Sequence, residues 1–165
     1  MKRIVLFLNI FILLELPIPA YTQPYGWIWL YADSARSSYC KYIDAGNLFD
    51  LWVWCRPSEN GQIGVEFAIE YPESGIFYGP FIANDNLVSE AIGDLINGIQ
   101  ITYDECQYDW NWPLHQQILI MISDPLIFKV AAHSGIPFPR LFNCEEGNPA
   151  EQCWMCDFYV NTCPP

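Results

Sequence analysis

Seven cysteines and three Trp-x-Trp pairs are the residues whose types and spacing could do chemistry in this chain. The cysteines are Cys40, Cys55, Cys106, Cys144, Cys153, Cys156 and Cys163. The last four include one C-x-x-C, and four thiolates can hold zinc tetrahedrally. Structural zinc sites, however, usually pair two such knuckles, and only one is present. A redox-active C-x-x-C needs a helix N-terminus or basic neighbours to lower a thiol pKa. Here Glu151 and Asp157 push the other way. Disulfides are therefore the expected state, with one of the seven unpaired. The preferred bridge joins Cys40 to Cys55, on or next to neighbouring predicted strands, and Cys106 is expected to reach the C-terminal segment. The odd cysteine is either reactive or able to join two chains into a homo-oligomer.

The tryptophan pairs are Trp27/Trp29, Trp52/Trp54 and Trp110/Trp112. On a strand, positions i and i+2 share one face about 6.5 Å apart. Two neighbouring indoles can make a platform for a sugar ring or a hot spot for a protein. The alternative is that the pairs fill the core or cover a sheet edge. Trp110 and Trp112 stand beside Asp109, Asn111 and Pro113, which predicts an exposed loop. They are the first choice of ligand-binding residues, joined by Trp52 and Trp54.

Catalytic patterns are scarce. No Gly-x-Ser-x-Gly elbow, His-Glu-x-x-His zinc helix or phosphate-binding glycine loop occurs. The two histidines, His115 and His133, have no partner at ligand spacing. Glu66 and Glu70 fall on one exposed strand face about 13 Å apart, beyond the roughly 5–9.5 Å of paired-carboxylate glycoside hydrolysis. Asp85, Glu90 and Asp94, with Asn84 and Asn86, offer oxygens but not the order of the twelve-residue calcium loop. No catalytic residue, metal ligand or cofactor is assigned, and the reading leans away from an enzyme.

The elements that must position these residues follow from composition and period. Of 165 residues 52% are hydrophobic and 16% aromatic, enough to bury a core. Seven Lys plus Arg face nineteen Asp plus Glu, a net charge of −12. That balance excludes nucleic acid, whose phosphates need clustered cations, and disfavours an anionic membrane surface. Met1-Lys2-Arg3, the apolar run 4–14 and Pro17 to Ala20 have the layout of a signal peptide over residues 1–20. The run is too short for stable membrane insertion. The expected location is secreted, periplasmic or at the cell surface, and all seven cysteines follow the expected cut.

Period two dominates the rest. Residues 27–31, 51–55, 65–71 and 99–103 alternate, and 118–123 and 126–131 are apolar runs of strand length. Turn residues separate them, including Asn60-Gly61 and Asn97-Gly98. Residues 87–96 are the one passable helix, weakened by Gly93. The expectation is an all-β protein, an antiparallel β-sandwich of seven to eight strands over residues 21–136, with barrel closure as the alternative. Residues 137–165 read as an irregular Cys/Pro-rich segment tied onto the same domain by disulfides.

The stretches Gly64 to Pro72, Gly93 to Tyr103 and Cys106-Gln107 resemble small exported bacterial β-sandwich proteins. They are also similar to the cohesin-type sandwich, over residues 26–133 at most. That resemblance implies protein–protein binding through a sheet face and no catalysis, and it assigns no residue. The functional expectation is a non-catalytic secreted domain that binds a glycan or a protein through exposed aromatics. A self-associating envelope component is the alternative, and a hydrolase or metal-dependent enzyme a further one.

Overall fold

The computed structural model describes residues 25–164, so the expected signal peptide lies outside the described residues. Thirteen strands occur among them and no helix. They are β1 (Trp27–Tyr31), β2 (Cys40–Lys41), β3 (Leu48–Arg56), β4 (Gln62–Glu70), β5 (Ile76–Ala83), β6 (Val88–Asp94) and β7 (Gly98–Gln107). There follow β8 (Asn111–Ile120), β9 (Leu126–Ala131), β10 (Arg140–Phe142), β11 (Ala150–Gln152), β12 (Trp154–Cys156) and β13 (Phe158–Val160). Eight of them have five residues or more.

Two sheets form, in the order β12-β1-β3-β8-β5 and β11-β10-β4-β9-β13-β2, with the β6–β7 hairpin added to β4 on its other side. Alternation decides what faces inward. Phe49, Leu51, Val53 and Cys55 of β3 are buried, as are Val65, Phe67 and Ile69 of β4, so the two sheets close on one core. Phe49 from one sheet meets Phe128 and Phe158 from the other, with ring centroids 6.1 and 5.5 Å away. The result is a mostly antiparallel sandwich, not a closed barrel.

Four expectations need correction. Residues 87–96 are not helical: they form β6 and the turn into β7. Gly93 and Gly98 both take positive φ, 101° and 125°, and a Cβ on Gly93 would lie 2.3 Å from the Gly98 carbonyl oxygen. Asp94 then closes the turn by accepting from the backbone N–H groups of Ile96 (2.9 Å) and Asn97 (2.7 Å). Strand β5 escaped the pattern because Gly79-Pro80 breaks it. The structure uses that break as a bulge on an edge strand, where a missing N–H costs nothing.

The C-terminal segment is not irregular. Strand β10 pairs with β4, β12 runs parallel to β1, and β13 lies between β9 and β2. The segment therefore completes both sheets.

Disulfides join Cys40 to Cys163 and Cys106 to Cys144. The second meets the expectation that Cys106 reaches the C-terminal segment. The preferred Cys40–Cys55 bridge is overturned. Cys40 sits on β2 opposite Tyr159, near the end of the chain, while Cys55 points into the core from β3. Three thiols stay free, Cys55, Cys153 and Cys156, where a single odd cysteine was expected. Burial pushes the Cys55 thiol up to about 12 and raises Cys153 as well. Burial and then the Asp157 charge raise Cys156. None has the thiolate character that redox chemistry requires. Iodoacetamide on the native protein should thus label Cys156 alone, slowly, and all three thiols after denaturation. Intact mass before and after unfolding reads the difference.

Candidate functional site

Residues directly opposite on paired strands point to the same face of a sheet. On the five-stranded sheet this places the outward positions in rows. Phe77, Leu119 and Leu48 form one row across β5, β8 and β3. Ile82, His115, Trp52 and Tyr31 form another that continues into β1. Further along, Trp54, Trp29 and Cys156 align, then Arg56, Trp27 and Trp154.

All seven tryptophans gather on or beside this outer face. The Trp112 ring lies 4.8 Å from Trp52, and the Trp110 ring 5.9 Å from Trp29. The face has two halves. Toward β12 and β1 the rings pack on one another. Toward β5 the apolar side chains stand in solvent: Phe77 is 69% exposed, Leu48 58% and Ile82 54%.

The four expected ligand-binding tryptophans are brought together but not as a platform. Trp112 belongs to β8 and is half-buried, not loop-borne. Pro113 reads as a loop residue in sequence, but the strand continues through it beside a register shift opposite β3. Trp110 does lie between strands and is half-buried. Trp54 is 8% exposed.

Their ring faces are also occupied. His115 stacks on Trp52 at 4.4 Å with an interplanar angle of 14°. The Arg36 guanidinium sits 4.8 Å from the Trp54 centroid and 4.6 Å from that of Trp110. Three of the contacts among the indoles are edge-on, at 75° for Trp27–Trp29, 72° for Trp29–Trp110 and 85° for Trp52–Trp112, while Trp27 and Trp154 are tilted at 32°. A sugar ring stacks on an open aromatic face, and a face of Trp52, of Trp54 and of Trp110 is already covered.

Glu66, Asp94 and the two histidines, singled out in the sequence, have structural work. Glu66 is not on a solvated face. It is buried, with Arg140 Nε donating to its Oε2 at 2.7 Å and His133 Nδ1 3.4 Å from Oε1. The signal missed was β10, which pairs Arg140 with Glu66. His115 Nδ1 lies 3.7 Å from Asp50 on the aromatic face. Asp94 is used in its turn. Among the described residues no three His, Cys, Asp or Glu side chains are grouped to hold a metal ion. Sequence reading missed Leu48, Phe77 and Leu119, which lie far apart in the chain and become neighbours only through strand register, and Ile82, which register places opposite His115.

No protein-family model matches the chain, and no curated protein matches it by sequence. Solved structures do. The cohesin module of a family 33 glycoside hydrolase from Clostridium perfringens superposes with a TM-score of 0.62 at 10% identity, covering 83% of this chain and 96% of that one. The sixth cohesin of scaffoldin B from Acetivibrio cellulolyticus, solved in complex with a dockerin, gives 0.59 at 9% identity over 83% and 98%. A non-cellulosomal cohesin from the archaeon Archaeoglobus fulgidus gives 0.52 at 8% identity over 82% and 89%. The chain therefore has the cohesin-type β-sandwich fold.

Proposed function

We propose that this chain is a non-catalytic module of an exported protein and binds a second protein through the outer face of its five-stranded sheet. The observation that carries the reading is the outward-facing apolar row of Leu48, Leu119 and Phe77, separated by the polar Asp50 and Gln117 from a second row of Ile82, His115 and Trp52 on the same face. Contiguous exposed apolar groups rimmed by polar ones mark interaction sites. Aromatic anchors beside them are what protein interfaces enrich. The fold supports the reading, because a cohesin of the same architecture is solved holding a dockerin. A glycan ligand is disfavoured by the covered indole faces. Two disulfides agree with an oxidising compartment outside the cytoplasm.

The test is comparative capture from the extracellular protein fraction of the source cells. Wild type, a Phe77→Ala/Ile82→Ala double variant and an Ile92→Ala/Ile127→Ala control on the other sheet are immobilised side by side. Losing a hot spot worth about 2 kcal/mol should weaken retention of the partner roughly thirtyfold in the first variant and leave the control unchanged. Equal retention by both variants would remove this face from the reading. Self-association of the isolated chain through the face would favour an envelope component instead.

A further inference from the structure

Arg36 lies in the loop between β1 and β2, and three things about it are unusual. Its φ is 57°, in the left-handed region. The other two non-glycine residues with positive φ among those described are both asparagines, which tolerate that conformation, whereas arginine does not favour it. Second, the loop is built to hold it there. The Asp33 carboxylate accepts from the backbone N–H groups of Ala35 (2.9 Å) and Ser37 (3.0 Å) and from the Ser37 hydroxyl (2.7 Å). The Ala32 N–H closes the base of the loop on the Ser38 carbonyl at 2.9 Å.

Third, the guanidinium packs over two indoles at once, Trp54 and Trp110, each within 5 Å. The Arg56 guanidinium also approaches the Trp110 ring, at 6.0 Å. Trp54 itself is 92% buried, and its indole N–H is buried without a hydrogen-bond partner. Two indoles around one cation is the arrangement of an aromatic cage, in which ring quadrupoles replace water around a positive charge. The strained backbone of Arg36 is maintained by the loop, and its side chain is what the cage receives.

We infer that the Trp54–Trp110 slot is a recognition site for an arginine side chain of the protein partner, with Arg36 as its resident occupant in the free protein. This deepens the protein-binding reading and rests on it. Charge supports an arginine-bearing partner. The whole chain carries nineteen Asp plus Glu against seven Lys plus Arg, which attracts a cationic partner at long range, while Arg36 and Arg56 are the cations at the slot itself. The planar guanidinium stacks on indole where the compact lysine ammonium does not. Arg36 shows that the slot accepts this group. A partner arginine would displace it, and release of the left-handed backbone would offset part of the exchange.

The test empties the slot. Arg36→Gly suits the backbone, because glycine takes positive φ freely, and it removes the resident cation. N-acetylarginine amide is titrated at constant ionic strength while tryptophan fluorescence is followed. The expected result is a saturable change in Arg36→Gly, at least tenfold weaker in wild type and absent from Arg36→Gly/Trp110→Ala. Arg36→Asn, also at ease in this conformation, repeats the measurement should glycine loosen the loop. Folded Arg36→Gly and Arg36→Asn proteins that respond no more than wild type would overturn the inference. The probe needs no protein partner, so that failure is distinguishable from failure of the capture experiment.

Discussion

Replacing Cys40 and Cys163 together by serine is expected to remove about 5 kcal/mol of unfolding free energy, the loop-closure value for a long cross-link. The two cysteines are 123 residues apart, so the bridge closes nearly the whole described chain. It also anchors the pairing of β2 with β13 at the margin of the larger sheet. A domain of this size typically has only about 5–15 kcal/mol in total, so the doubly substituted protein should be close to unfolded at 37 °C. Urea denaturation at 15 °C reads the change as a lower midpoint. An equal midpoint would mean that the strand pairing, and not the covalent link, holds the end of the chain. The Cys106–Cys144 bridge spans 38 residues, and its loss should cost about 1 kcal/mol less on the same chain-entropy argument.

Phe128→Ala should be nearly as damaging, at about 3–5 kcal/mol, because a phenyl ring removed from a close-packed core leaves a cavity that its neighbours fill only in part. Phe128 is fully buried at the centre of β9. Its ring is in contact with Phe49 at 6.1 Å, Phe158 at 6.2 Å and Tyr71 at 6.0 Å. These rings bridge the two sheets, so the cavity opens where the sandwich is held together. Phe77→Ala is the control of the same chemistry. With that ring 69% exposed, its loss should change stability by only about 0.5 kcal/mol in either direction. Parallel thermal melts of the two variants give the comparison. Similar losses for both would contradict the assignment of Phe77 to a free outer face.

Local alternation carried much of the architecture into the sequence. Residues 27–31 and 126–131 read as strands and are β1 and β9, and the alternating stretch 65–71 falls within and just beyond β4. Where the sequence misled, a distant partner decides the structure. Leu87, Ala91 and Leu95 have helical spacing, but β7 supplies a strand for that segment to pair with. Three-residue strands such as β10 and β12 have no period to detect, and they exist because β4 and β1 offer unfilled edges. Cysteine pairing is equally non-local.

The candidate site divides in the same way. That the two members of each strand-borne Trp-x-Trp pair share a face was legible from the period of a strand. That Arg36 and His115 cover those rings was not, since one comes from a loop and the other from β8. The solvent-facing row of Leu48, Phe77 and Leu119 draws on three strands, and nothing in any one of them marks it.

Side-chain footprinting of the captured complex tests most directly that this sheet face is where the partner sits. Hydroxyl radicals modify exposed Phe, Leu, Ile and Trp side chains at rates that follow their accessibility. Protection of Phe77, Leu48, Ile82 and Trp112 on complex formation, with Ile92 and Ile127 of the opposite sheet unchanged, is the predicted result. Protection of Ile92 and Ile127 with Phe77 and Leu48 still reactive would contradict it and move the partner to the larger sheet.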